Sequence, residues 1–252
     1  MSIRESAACL KLPYIRNNYE EVIREAHVRD MSHEEFLEEI LKNELELRNT
    51  NGINSRIRQA KFPYHILLED YERDHFSLEI KTRIRELETM EFIDNKENVI
   101  LIGNPGTGKT ALSIALGLKA CKEGKSVLFI SVPNLLIELK EAMNLNQITR
   151  YKKKFEKYDL TVLDELGYCT FDKECGEILF NLLSSRNEKG SMIITSNLTF
   201  DRWNEIFRDT VLTGALIDRL AYKSHLMDMS GDSYRIMATR KCNKEHSKIT
   251  EK

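Results

Sequence analysis

No apolar run in the 252 residues approaches the roughly 18 needed to cross a bilayer, which argues against a membrane-spanning helix, and no membrane partner is expected. The N-terminal stretch lacks the apolar core of a secretory signal, because Arg4, Glu5, Lys11 and Arg16 interrupt it. The five cysteines (Cys9, Cys121, Cys169, Cys175 and Cys242) are odd in number and widely spread, with no C-x-x-C pair. That pattern argues against a disulfide framework and a zinc site, and predicts a cytoplasmic protein in a reducing compartment. There is no internal repeat and no low-complexity segment. Net charge is only −2, so overall charge gives no sign of a polyanionic partner.

The distribution of charge says more. Residues 1–50 carry 11 acidic and 7 basic side chains, whereas residues 235–252 carry 6 basic and 2 acidic. Basic clusters occur at Arg56-Arg58-Lys61, Lys81-Arg83-Arg85 and Arg150-Lys152-Lys153-Lys154-Lys157. Any one of these is compatible with a solvated face.

Residues 103–110, Gly-Asn-Pro-Gly-Thr-Gly-Lys-Thr, match the G-x-x-x-x-G-K-[ST] phosphate loop without a mismatch. The apolar run Asn98–Ile102 leads in as a buried parallel strand, and a helical pattern from Ala111 to Ala120 leads out. Backbone N–H groups of Gly103, Asn104, Pro105, Gly106, Thr107, Gly108, Lys109, Thr110 and Ala111 (Pro105 contributing shape alone) are placed to wrap a nucleotide's phosphates. Lys109 is expected at the β/γ-phosphates and Thr110 at Mg2+, so ATP and Mg2+ are the expected cofactors.

A second element lies 55 residues beyond Lys109. Leu160-Thr161-Val162-Leu163 is an apolar strand ending in Asp164 and Glu165. Asp164 is expected to hold Mg2+ with Thr110, and Glu165 to polarise the attacking water, which marks an ATPase rather than a kinase. Ile193-Ile194-Thr195-Ser196-Asn197 is a further strand with a polar end. Asn197 there either senses the γ-phosphate or caps the helix starting near Phe200. Arg219 is a candidate arginine finger acting on a neighbour's ATP, with an ion pair to Asp218 or Asp209 as the competing reading. Arg235 is a second candidate for reaching phosphate. A GTPase should carry Asn-Lys-x-Asp, but Asn95-Lys96-Glu97-Asn98 ends in the wrong residue and precedes the first strand.

Candidate strands at 98–103, 126–131, 159–164, 191–196 and 225–229 alternate with helical patterns, implying βαβ units and a parallel sheet. Before them, Ser32 and Glu35 form a capping box. Phe36, Leu37, Ile40, Leu41 and Leu45 then give an apolar helical face, and Asn49-Thr50-Asn51-Gly52 is expected to end or bend that helix. The expected organisation is a helical N-terminal domain over 1–62, a linker over 63–76, a helix from about Leu78 to Met90 opening an ATPase domain over 77–240, and a basic tail over 241–252.

Several of these elements resemble the IstB family of insertion-sequence helper proteins, AAA+ ATPases related to DnaC helicase loaders. The resemblance rests on Asp164-Glu165-Leu166-Gly167-Tyr168, Leu179-Phe180, Thr195-Ser196-Asn197-Leu198, Trp203, Ile217-Asp218-Arg219-Leu220 and Gly231-Asp232-Ser233-Tyr234-Arg235. Phe62-Pro63 and Leu68-Glu69-Asp70-Tyr71 resemble the family's domain junction, so the match spans about residues 30–238. Asn104, Ala111 and Ser113 depart from the usual loop pattern, and Asn51-Gly52 interrupts a usually continuous basic helix. The resemblance implies an α/β fold: a AAA+ P-loop core with a five-stranded parallel sheet between helices, preceded by a small helical domain. It also implies a homo-oligomer with ATP sites at subunit interfaces, assembly on double-stranded DNA and help for a cognate transposase. A DnaC-type loader of a replicative helicase is the alternative. Arg56, Arg58, Lys61, Lys152, Lys153 and Lys154 are the candidate DNA contacts. No nuclease or recombinase motif is present, so strand cutting is not expected of this chain.

Overall fold

A computed structural model describes residues 1–168, 171–231 and 233. The chain divides into two units, Met1–Ser55 and Arg56–Lys252.

The first unit is helical: α1 (Ile3–Cys9), α2 (Pro13–Val28) and the greater part of α3 (His33–Ala60). The capping box before α3 forms as the sequence predicts, with Ser32 Oγ accepting the Glu35 N–H at 3.2 Å and the Glu35 carboxylate accepting the Ser32 N–H at 2.8 Å. Leu12 gives α2 no side-chain cap. The buried Glu44 of α3 supplies one, because its Oε2 accepts the Ile15 N–H at 3.0 Å and places a carboxylate at the positive end of a helix. Of the predicted apolar face of α3, Ile40 is buried, but Leu37, Leu41 and Leu45 are each more than half exposed.

The expected break at Asn49–Gly52 does not occur: α3 runs unbroken to Ala60. One glycine costs a helix only about 1 kcal/mol relative to alanine. The last turn of α3 is held by tertiary packing, with Ala60 fully buried and Ile57 against the core of the second unit. Burying aliphatic side chains returns about 25 cal/mol per Å2, so the packing outweighs the local penalty.

The second unit opens with α4 (Leu78–Leu87), which ends before Met90 because Met90 turns left-handed (φ 62°) to start α5 (Glu91–Asp94). Then follow β1 (Asn98–Ile102), α6 (Lys109–Lys122), β2 (Val127–Ser131), α7 (Val132–Asn144), α8 (Ile148–Phe155), β3 (Leu160–Leu166), α9 (Lys173–Arg186), β4 (Ser191–Ser196), a 3-10 turn at Phe200–Arg202, α10 (Asn204–Phe207), α11 (Thr210–Ala221) and β5 (Ser224–Asp228). All strand pairs are parallel, in the order β2-β3-β4-β1-β5. The strand carrying Asn197's neighbours therefore lies between the phosphate-loop strand and the strand ending in Asp164 and Glu165.

Strand side chains alternate between two cores, as a period of two requires. Val99, Leu101, Val127, Phe129, Leu160, Val162 and Ile193 pack on the face covered by α4 to α6. Ile100, Ile102, Leu128, Ile130, Leu163, Met192 and Ile194 pack on the face covered by α7, α9 and α11. The expected linker 63–76 is not a free connection. Leu68, Tyr71 and Phe76 are buried in the first of these cores, and Phe62 lies 6.0 Å from Phe129, ring centre to ring centre.

Arg186 is completely buried at the end of α9. Its guanidinium donates to the carbonyls of Phe155 (2.9 Å), Tyr158 (2.6 Å) and Ser191 (3.1 Å), which ties the exit of α8 to the start of β4. Burial pushes its pKa down to about 10, so the group stays charged at neutral pH.

Candidate nucleotide site

The site forms at the carboxyl ends of β1, β3 and β4, where an open parallel sheet places its crevice. The phosphate loop leaves β1 at Gly103, whose φ of +153° brings the backbone against β5's exit. A Cβ there would meet Met229 C at 2.7 Å, so no other residue fits without moving the chain. The loop is braced internally by Thr107 Oγ1 donating to Asn104 O at 3.0 Å. Lys109 is 8% exposed and donates to the carbonyls of Gly103 (2.6 Å) and Asn104 (2.8 Å), which holds its ammonium at the loop's mouth. Tyr71, from the packed segment before α4, places its hydroxyl 3.4 Å from Gly108 O, and burial raises its phenol pKa well above the ordinary value.

Thr110 Oγ1 donates to Asp164 Oδ1 at 2.9 Å, so residues 54 apart in sequence share one spot. Asp164 is 5% exposed and also accepts the Thr195 hydroxyl at 2.6 Å. The β3–β4 register shifts here. Leu163 pairs with Ile194 and Leu166 with Ser196, so β3 carries one extra residue. Such a bulge re-aims side chains beside a site. At the bulge Glu165 adopts φ +65°, a strained conformation for a non-glycine residue, with its side chain exposed. Two hydroxyls replace the ladder bonds lost to the bulge: Thr195 Oγ1 accepts the Glu165 N–H at 3.0 Å, and Ser196 Oγ donates to Leu166 O at 2.6 Å.

Asn197 follows on β4's exit. It does not cap the next turn, where Thr199 takes the cap position. Its Oδ1 is buried with no hydrogen-bond partner among the described residues. Gly167, at φ +120°, makes room for it, since a Cβ there would lie 2.7 Å from that oxygen. Pro105, Gly106, Gly108, Lys109, Thr110, Ala111, Glu165 and Asn197 all line one cleft, joined by Tyr64 and Tyr168. A loop of backbone donors, an ammonium, a hydroxyl–carboxylate oxygen pair and an orphaned buried amide oxygen fit a magnesium nucleotide.

Arg219 is not in this cleft. It lies exposed on α11, its guanidinium 4.8 Å above the Phe180 ring, with no carboxylate within 4 Å among the described residues. The competing ion pair is absent, because Asp209 is engaged as the α11 N-cap, accepting the N–H groups of Val211 and Leu212 at 3.0 Å. Arg235 and the tail 241–252 lie outside the described residues, although Gly231 already touches the loop through Asn104 Nδ2 at 3.4 Å.

The basic candidates separate. Arg56 Nε donates to Cys121 O at 2.9 Å, capping the carbonyl end of α6, and Lys61 pairs with Glu138 at 3.7 Å. Lys152 is half-buried and within coulombic reach of Glu156. Arg58, Lys153 and Lys154 remain exposed. Sequence reasoning gave no role to Tyr71, Thr195 or Ser196. The hydroxyls at the polar end of β4 were the available signal.

The loop, the paired acids and the strand inserted between them define a AAA+ P-loop ATPase, with ATP as its nucleotide. The sequence profile of the IstB-like ATP binding protein family matches residues 5–242, and the chain belongs to that family, the IS21-type ATP-binding helper proteins of insertion sequences. It is 36% identical over 232 residues to the insertion sequence IS21 ATP-binding protein of Pseudomonas aeruginosa, covering 92% of this chain and 88% of that one. The insertion sequence IS5376 protein of Geobacillus stearothermophilus is 32% identical over 238 residues, with 94% and 95% covered. Among solved structures, the DnaC helicase loader matches with a TM-score of 0.56 at 21% identity, over 64% of this chain and 95% of that one. AMPPCP-bound DnaA from Aquifex aeolicus matches with a TM-score of 0.54 at 18% identity, over 66% and 50%. These two likenesses concern the fold. No helix among the described residues is long and apolar enough to cross a membrane.

Proposed function

We propose that this chain is an ATP-dependent assembly factor that oligomerises on double-stranded DNA and assists its cognate transposase in inserting a mobile element. The observation that carries the reading is the position of Arg219. It is exposed, has no acid partner among the described residues and stands outside its own chain's cleft, which supports its reaching a neighbour's ATP. That position supports placing ATP sites at subunit interfaces. The relatives named for insertion sequences supply the biological setting.

Within the cleft, Lys109 and the loop N–H groups hold the phosphates. Thr110 and Asp164 would hold Mg2+, which when bound neutralises charge on the β- and γ-phosphate oxygens. Glu165 takes the proton of the attacking water, and Asn197 Oδ1, otherwise unpartnered, orients that water. In trans, Arg219 stabilises the charge that develops on the transferred group, with Arg235 as a second candidate contact.

The test is mass in solution with ATP, with duplex DNA, with both and with neither. Growth that requires both ligands is the expected result, and a fixed mass under all four conditions would overturn it. The DnaC-like fold keeps a helicase-loading reading in view. Capture by the full chain of a replicative helicase, rather than the transposase, would favour that reading.

A further inference from the structure

We infer that the exposed basic face of α8 is where the phosphodiester backbone of duplex DNA docks, an inference that rests on the DNA-binding reading above. The helix is amphipathic in an unusual way. Ile148, Tyr151 and Phe155, at i, i+3 and i+7, pack into the core. Arg150, Lys153 and Lys154 are exposed, and Lys157 joins them in the turn that follows, giving cations at i, i+3, i+4 and i+7. Like charges at i, i+4 destabilise a helix, and this face holds one such pair within α8, Arg150–Lys154, with Lys157 adding a further cation in the turn beyond Lys153.

Elsewhere in the unit some cations are paired and others, Arg219 among them, have no carboxylate partner among the described residues; this face differs in setting four of them in one row. Lys61, Arg73, Lys119, Lys125, Lys140, Lys189 and Arg202 all have a carboxylate within 4 Å. Among the described residues, none of the four on the α8 face does, although acids make up 40 of the chain's 252 residues. Three of the four lie at or beyond the C-terminal turn, where cations favour the helix dipole. Arg150 lies a turn earlier, outside that explanation.

The face is also rigid. Tyr151 Oη donates to Glu138 at 2.8 Å on α7, and Arg186 holds the Phe155 and Tyr158 carbonyls just beyond the helix. Binding here need not order the backbone, although each cationic side chain still gives up rotamer freedom. From Arg150 to Lys157 it spans about 10 Å at 1.5 Å per residue, which covers about three phosphates at 3.4 Å of duplex axis per strand. The neighbouring groove adds the polar side chains of Asn146, Gln147 and Thr149. Tyr151 also lines it, its hydroxyl held by Glu138; lysine is depleted from protein–protein interfaces, so a polyanion suits this face better than an acidic protein.

The experiment uses the full chain with ATP and a mixed-sequence duplex, titrated with salt. The variant Arg150→Gln, Lys153→Gln, Lys154→Gln, Lys157→Gln is compared with a charge-matched control, Lys42→Gln, Lys119→Gln, Lys122→Gln, Arg202→Gln. A third variant, Lys153→Arg, Lys154→Arg, Lys157→Arg, keeps the charge and monitors folding. The α8 variant is expected to flatten the log–log salt slope by about 3 units, at −0.9 per phosphate contact, for every sequence alike, with DNA-free ATP turnover unchanged. The control and the arginine variant should keep the wild-type slope. An unchanged slope in the α8 variant, with duplex binding intact, overturns the inference and leaves DNA binding standing. Loss of transposase capture with the slope unchanged assigns the face to a protein and overturns it as well. Absence of salt-dependent duplex binding in the wild type removes both readings.

Discussion

The Thr195 hydroxyl donates to Asp164 Oδ1 at 2.6 Å and accepts the Glu165 N–H at 3.0 Å, so one side chain on β4 holds both acids at the end of β3. It is 2% exposed, and the bulge it pins is what turns Glu165 toward the cleft while Asp164 stays beside Thr110.

Replacing Thr195 with valine keeps the shape and removes the hydroxyl. An unpaired buried N–H costs about 1–3 kcal/mol, enough to release the left-handed turn at Glu165. Turnover should fall roughly tenfold to a hundredfold with KM for ATP nearly unchanged, and Thr195→Ser should restore it. Steady-state phosphate release decides the matter, and a valine variant with wild-type kcat would sink this assignment.

Glu165→Gln should keep ATP binding and lose turnover by on the order of 10²–10⁴, the usual worth of a positioned general base. Lys109→Ala should lose binding itself, because the phosphate charge goes unmatched in the loop. Calorimetric affinity beside turnover separates the two, and a Gln variant at wild-type rate would remove Glu165 from the chemistry.

Arg219→Ala subunits and Lys109→Ala subunits should each be inactive alone and regain activity when mixed, since some interfaces then join an intact site to an intact finger. A finger contributes about 10³-fold or more in related NTPases. If no mixing ratio restores turnover while assembly persists, Arg219 acts only through its contact with Phe180.

Asp172 caps α9 by accepting the Cys175 N–H at 2.8 Å, and this bond, with help from Lys140, lowers its carboxyl pKa to about 2 from 3.8. A carboxyl with a depressed folded pKa adds stability that is complete above the unfolded value and lost as pH falls through the folded one. Asp172→Ala should therefore lower Tm by about 2–4 °C near neutral pH, as loss of a cap does in a unit of this size. The gap from wild type should close between about pH 4 and pH 2. Melting curves across that range check it, and a gap independent of pH would mean that the ionised carboxylate is not the cap.

The strands and the phosphate loop were legible because continuous buried apolar runs and a gapless motif are local signals. All five strands fall within about two residues of their predicted bounds. What could not be read depended on partners distant in sequence. Gly52 stays helical because Ile57 and Ala60 are buried further along. The segment after Phe62 is core rather than linker because Leu68, Tyr71 and Phe76 find a sheet that has not yet begun at that point in the chain. Arg56 looked free to meet DNA until its partner, Cys121 O, appeared 65 residues later. The bulge at Glu165 belongs to a pairing of two strands and leaves no trace in either alone.

The contact between the phosphate loop and β5's exit has a consequence for biosynthesis. Gly103 abuts Met229, and Asn104 reaches Gly231, 127 residues further along. As the ribosome delivers the chain, the loop, the acids and Asn197 all emerge well before the strand that buttresses them. The loop's brace is thus a late acquisition of the nascent chain, and a translation product that stops before Ser224 carries the loop, both acids and Asn197 without it.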